Sequence, residues 1–106
     1  MVEVHEFRDQ EAAYRAWIAI HRDGFVLNLR RRPSTSYAVL HRAHCRSISV
    51  PHTAPGGFTE RGYMKICSPQ IDPLQDVMKG LALAEGRSFA EGDELFSKRC
   101  ALCSPW

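Results

Sequence analysis

The 106-residue sequence has no long apolar run, no internal repeat and no low-complexity tract. No stretch approaches the roughly 18–20 apolar residues that a membrane-spanning helix needs, so we expect no membrane span. The first six residues are acidic and lack an apolar core, which argues against a secretory signal and favours a cytoplasmic protein. Hydrophobic residues make up 44% and charged residues 25%, which excludes disordered and collagen-like chains and indicates one globular domain over residues 1–106.

Acidic side chains are nearly absent from the middle of the chain. Residues 25–67 hold seven lysines and arginines but a single acid, Glu60, so this segment carries a formal charge of +6 between two flanks of −2 each. A clustered positive field attracts polyanions. The arginines that we predict to contact nucleic-acid phosphates are Arg30, Arg31, Arg32, Arg42 and Arg46. A solvated basic hairpin without a ligand would show the same charge pattern.

The spacing of apolar residues predicts two helices. The first covers residues 9–22, with Asp9 as its N-cap and Gly24 after its end. The second begins with Asp72 as cap and Pro73 in its first turn, and it carries a stripe of leucine, valine and methionine.

Alternation of apolar and polar residues predicts three strands, over residues 25–30, 37–41 and 62–67. The first two strands form a hairpin with a basic turn at 32–36, whereas prolines and glycines make 51–62 a loop. Strands and helices in this mixture predict an α+β fold.

Two pairs of side chains have the spacing of metal ligands: His41-x3-Cys45 and Cys100-x2-Cys103. On a tight turn, a C-x2-C step points two thiolates at one ion while backbone N–H groups donate to sulfur. One nitrogen and three sulfurs make the closed tetrahedral set that zinc prefers in structural sites. Because cytosolic thiols stay reduced, a metal is favoured over disulfides. We therefore predict that these four residues bind Zn²⁺.

Other uses of these side chains remain open. His44 is a competing ligand, and Cys67 at the end of the third strand is a competing or fifth sulfur, so a four-thiolate site is an alternative. Buried cysteines acting as small hydrophobes, or a C-terminal disulfide, are further alternatives. A thioredoxin-like redox pair is disfavoured, because Pro105 prevents the helix that would activate the first thiol.

Residues 37–105 resemble the small zinc domain of the Ada-type DNA methylphosphotriester repair proteins. They are more similar still to relatives of that domain that carry H-x3-C and C-x2-C-x-P and are appended to bacterial nucleases and competence-type proteins. The resemblance rests on the order strand–His41-x3-Cys45, strand, helix and Cys100-x2-Cys103, and it implies a zinc-stabilised β–α unit linked to DNA. In the repair proteins the first ligand is a cysteine that accepts the methyl group. Histidine stands there in this chain, so we do not predict methyl transfer.

These observations predict a small zinc-stabilised module of a bacterial-type protein that binds nucleic acid, with DNA the expected partner. A zinc-stabilised protein–protein interaction module is the main alternative, with the acidic flanks or the second helix as the contact surface. An enzyme that uses Cys45 or Cys67 as a nucleophile is a third hypothesis. We do not expect catalysis, because no paired carboxylates accompany the histidines of the cationic segment.

Overall fold

The computed structural model describes residues 3–50 and 57–106, and within them it shows five strands and three helices. The elements are, in chain order, β1 (His5–Phe7), α1 (Glu11–Ile20), β2 (Phe25–Ser34), β3 (Tyr37–Arg42), α2 (Arg46–Ser49), β4 (Tyr63–Ser68), α3 (Ile71–Ala84) and β5 (Lys98–Arg99). The strands form one sheet in the order β1-β4-β2-β3-β5. Among the strand pairs of the described residues, only β3–β5 is parallel. The predicted α+β class is confirmed, and β1, β5 and α2 are added to the predicted elements.

The sheet separates two hydrophobic clusters because successive side chains of a strand point to opposite faces. In β2, Val26 joins the cluster that contains Tyr14 of α1. Its neighbour Leu27 joins the cluster that contains Leu74 and Met78 of α3. All five side chains are fully buried. The sheet therefore lies between α1 with α2 on one face and α3 on the other.

The predicted N-cap of the first helix is wrong. Asp9 has a φ of 55° and lies outside α1, and its carboxylate accepts two hydrogen bonds from Arg31, at 2.9 and 2.6 Å. The hydrogen bond from Arg31 holds the pKa of Asp9 below its ordinary value. Gln10 precedes the helix without a side-chain capping bond. A long-range partner on β2 thus replaces the local capping contact.

The second predicted helix is confirmed as α3, but it begins two residues earlier than predicted, at Ile71. Asp72 and Pro73 lie inside its first turn, where proline is tolerated because the N–H groups there have no helical partner. Gln70 precedes the helix and makes no side-chain capping bond, so the predicted cap at Asp72 is also wrong.

The hairpin is confirmed, but its first strand is longer than predicted. β2 continues through the arginines to Ser34, which pairs with Tyr37, so the turn contains only Thr35 and Ser36. The register shifts between Leu29 and Ser34. Of the predicted loop at 51–62, residues 51–56 lie outside the described residues, and 57–62 form turns and bends. Across the described ranges, no helix is long and apolar enough to cross a membrane.

Candidate metal centre

The structure brings the predicted quartet together from two segments of the chain that are 55 residues apart, counted from Cys45 to Cys100. His41 lies near the end of β3, Cys45 follows in the turn before α2, and Cys100 and Cys103 lie beyond β5. One potential ligand atom from each residue lies within 4.8 Å of the other three. Two sulfurs bound to one tetrahedral zinc ion would be about 3.8 Å apart. The Sγ atoms of Cys45 and Cys100 are 4.0 Å apart, so this group is positioned to hold a metal ion.

The parallel pairing of β5 with β3 brings the C-terminal thiols to the candidate site. Val39 is in register with Lys98 and Leu40 with Arg99, which places the next residue, Cys100, beside His41. The backbone N–H of Cys100 donates to the carbonyl of Leu40 at 2.9 Å and extends this pairing. The short β5 therefore sets the distance between the two halves of the candidate site.

The C-x2-C segment forms the predicted turn around a sulfur. The N–H of Ser104 donates to the carbonyl of Cys100 at 3.0 Å, and Ser104 adopts a left-handed φ of 49°. Burial alone raises the pKa of a thiol, but backbone N–H groups of Cys103 and Leu102 donate to the Cys100 sulfur and hold its pKa below the ordinary value. The N–H of Arg42 likewise donates to Cys103 Sγ at 3.2 Å. These N–H donors stabilise the thiolate form that binds a metal.

The nitrogen donor is buried and uncharged at neutral pH. His41 is 6% exposed, and burial, followed by the charges of Lys65 and Lys98, lowers its pKa to about 4. A neutral imidazole offers a lone pair, as a metal ligand must. Ser47 connects this residue to the next ligand, because its Oγ lies 3.4 Å from His41 Nδ1 and 3.0 Å from Cys45 Sγ. Ser47 was not predicted, although a hydroxyl two residues after a candidate ligand was a usable signal.

The fourth ligand would release a proton on binding. Burial raises the pKa of Cys103 to about 12, so without an ion this thiol keeps its proton at neutral pH. A bound divalent cation reverses that preference and holds a coordinating thiol as the thiolate. All four cysteines are free thiols in the structure.

Neither alternative ligand joins the group. Cys67 on β4 is in register with Val26 on β2, which in turn is in register with His41 on β3. Two strand spacings, about 10 Å, therefore separate the backbone of Cys67 from that of His41. Cys67 lies fully buried among apolar side chains, and burial raises the pKa of its thiol, which makes it a poor nucleophile as well as a distant ligand. His44 is exposed in the turn after β3 and is not among the grouped residues.

Two of the five predicted phosphate-contacting arginines already form hydrogen bonds with other groups of the protein. Arg31 binds Asp9 and also donates to the backbone carbonyl of Thr59 at 3.2 Å. Arg42 lies over the ring of Phe25, and its guanidinium donates to backbone oxygens of the C-terminal segment. Those oxygens belong to Cys103, Ser104 and Trp106, at 3.0–3.2 Å. The other three, Arg30, Arg32 and Arg46, are exposed.

We expect Arg42→Met to loosen the C-terminal segment that carries two of the candidate ligands. The substitution removes hydrogen bonds to three backbone oxygens and should lower the free energy of unfolding by about 1–3 kcal/mol. Chemical denaturation of the metal-loaded protein would measure this change. Arg46→Met is the matched control, because it removes an exposed arginine and should change stability by less than about 0.5 kcal/mol. Equal stability of the two variants would contradict the claim that Arg42 holds the C-terminal segment in place.

The interpretation of this site depends on its geometry, because the comparisons with known proteins found no relative. The chain has no significant match among protein-family models, curated proteins or solved structures. The resemblance of residues 37–105 to the Ada-type zinc domain therefore stays a prediction. What the structure shows is a mixed α+β domain with a His/Cys3 group that could hold a metal ion.

Proposed function

We propose that this chain is a small zinc-stabilised module that binds nucleic acid. The observation that carries the zinc half is the closed group of His41, Cys45, Cys100 and Cys103, which joins the C-terminal segment to β3. Four protein ligands fill a tetrahedral coordination sphere and leave no position for substrate or water, so the ion has a structural role. Three thiolates and one imidazole form a soft donor set that suits zinc and disfavours magnesium and calcium.

The proposal that the module binds nucleic acid is supported by positive charge that the fold leaves exposed. Arg30 and Arg32 lie on β2 and Arg46 begins α2, all within the segment that carries a formal charge of +6. We assign the phosphate contacts to these three residues. Arg31 and Arg42 support them indirectly by holding Asp9 and the C-terminal segment.

Replacing Arg30, Arg32 and Arg46 together by alanine should reduce the salt dependence of nucleic-acid binding. Each lost phosphate contact reduces the slope of log K against log salt by about 0.9 for a duplex or about 0.7 for a single strand. We therefore expect a slope that is smaller by about 2–3 and a weaker affinity at low salt. Fluorescence anisotropy with labelled oligonucleotides over a salt series measures both quantities.

The matched control replaces Arg15, Arg22 and Lys79 by alanine, which removes the same charge from α1, the turn after it and α3. This control should leave the slope unchanged. Wild-type protein that binds no oligonucleotide at low salt, or a triple variant that behaves like the control, would overturn the nucleic-acid function.

A protein–protein interaction module is the second candidate. It is favoured by two exposed apolar side chains: Leu102, between the two cysteines of the turn, is 71% exposed, and Trp106, just after the turn, is 67% exposed. Tryptophan is over-represented among residues that dominate protein interfaces. Protein that keeps its metal but shows no affinity for nucleic acid would favour this second function over the first.

A further inference from the structure

A group of one arginine and two tyrosines lies on the sheet at the end away from the candidate metal centre, with Arg30 and Tyr63 exposed and Tyr37 partly buried. Arg30 is in register with Tyr63, and its Cζ lies 4.7 Å from the centre of the Tyr37 ring. The centres of the Tyr37 and Tyr63 rings are 5.9 Å apart, with 45° between the ring planes. We call these three residues the Arg–Tyr patch. Along β3, four residues or about 13 Å separate Tyr37 from His41.

Tyr63 differs from the rest of its strand. It is 37% exposed, whereas the five following residues of β4 are buried. Its ring is therefore not held in the core. The buried Lys65 lies beside the Tyr63 ring, with its Nζ 5.7 Å from the ring centre. Cations thus lie beside both tyrosines and make the surroundings of the rings positive.

Building on the proposed function, we propose that the Arg–Tyr patch is a stacking platform for unpaired bases of single-stranded nucleic acid. Aromatic rings beside a cationic surface are the means by which proteins bind single strands without reading sequence. The ring of Tyr63 offers a face to a base, and Arg30, held against Tyr37, offers charge to the adjoining phosphate. Bases in a duplex are already paired and stacked, so this platform favours single strands over duplexes. The same contacts suit DNA and RNA.

Tyr63→Ala tests the platform. Labelled oligothymidylate, oligouridylate and a duplex of equal length serve as probes in anisotropy titrations of the metal-loaded protein. Loss of one stacking ring should weaken binding of both single strands about tenfold and leave duplex affinity unchanged. Tyr63→Phe keeps the ring and should bind within about twofold of wild type. Trp106→Ala, which removes an exposed aromatic residue outside the patch, should behave as wild type.

Tyr63→Val provides a second test, because valine favours a strand but offers no ring. It should reproduce the single-strand defect while metal content and melting temperature stay at wild-type values. Single-strand affinities that are unchanged in Tyr63→Ala and Tyr63→Val would overturn the platform, and so would an equal loss for duplex. Either result would leave the arginine-dependent function standing. Wild-type protein that binds none of the three probes would overturn the proposed function and the platform together.

Discussion

Substitution of Cys100 by serine is expected to lower the free energy of unfolding by more than about 5 kcal/mol, enough to unfold the domain. Cys100 supplies one candidate ligand and, through its backbone, continues the pairing of β5 with β3. Structural zinc sites bind with apparent free energies of about 10–16 kcal/mol, which is comparable to or larger than the roughly 5–15 kcal/mol stability of a whole domain. Metal content of the purified variant and its thermal denaturation would show the effect.

Cys67→Ala is the matched control for Cys100→Ser. It removes a fully buried thiol that lies outside the ligand group, so it should keep one equivalent of metal and lose only about 1 kcal/mol of stability. Treatment of the wild-type protein with a chelator should reproduce the Cys100→Ser result. A serine variant with unchanged metal content and an unchanged melting temperature would show that these residues hold no structural ion.

Removal of the buried amine of Lys65 is expected to change how stability depends on pH. Lys65 is 2% exposed and packs between aromatic rings, and its Nζ donates to the carbonyl of Phe58 at 2.7 Å. Burial lowers its pKa from the ordinary 10.5 to about 8, against the opposing influence of Glu11. Below pH 8 both the folded and the unfolded chain carry the proton, so the folded state bears the full cost of burying a charge, about 3 kcal/mol.

As the pH rises from 8 to 10.5, the folded protein loses the Lys65 proton before the unfolded chain does, so wild-type stability increases. Lys65→Met lacks this titration. The stability of the variant relative to wild type should therefore fall by about 3 kcal/mol between pH 7 and pH 10.5. Chemical denaturation of both proteins with the same bound metal at each pH measures this difference. Lys79→Met, which removes a partly exposed lysine, serves as the control, and a pH-independent difference for Lys65→Met would contradict the buried-charge account.

The ligand quartet was predictable because the two spacings are local. His41 lies near the end of β3 with Cys45 in the turn after it, and Cys100 and Cys103 share one tight turn, so the two residues of each pair are close in the sequence. Which of the candidate cysteines join the group could not be decided from local sequence. Cys67 also ends a predicted strand, and only the order of the sheet, which places Val26 between Cys67 and His41, removes it from the group.

No pattern in the sequence predicted the strand that joins the two halves of the site. β5 contains two residues, Lys98 and Arg99, and both are charged. Its position depends on parallel pairing with a strand about sixty residues away, which hydrophobic periodicity does not detect. Sequence spacing therefore identified the candidate ligands, while tertiary pairing determines that they meet.

Charged residues were the least predictable part of the site. Composition shows where arginines cluster but not which of them find partners in the fold. Arg31 binds the carboxylate of Asp9. Asp9 makes this contact in place of the predicted capping contact. Lys65 alternates with apolar neighbours on β4, as an exposed residue would, yet it is buried because both faces of the sheet are covered.

X-ray absorption spectroscopy of the purified, untagged protein at the zinc edge tests the central claim most directly. The account predicts one zinc ion per chain, with three sulfur neighbours at about 2.3 Å and one nitrogen neighbour at about 2.0 Å. It further predicts that Cys100→Ser loses this signal and Cys67→Ala keeps it. A protein isolated without zinc, or with zinc surrounded only by oxygen and nitrogen, would contradict the claim that one ion joins β3 to the C-terminal turn.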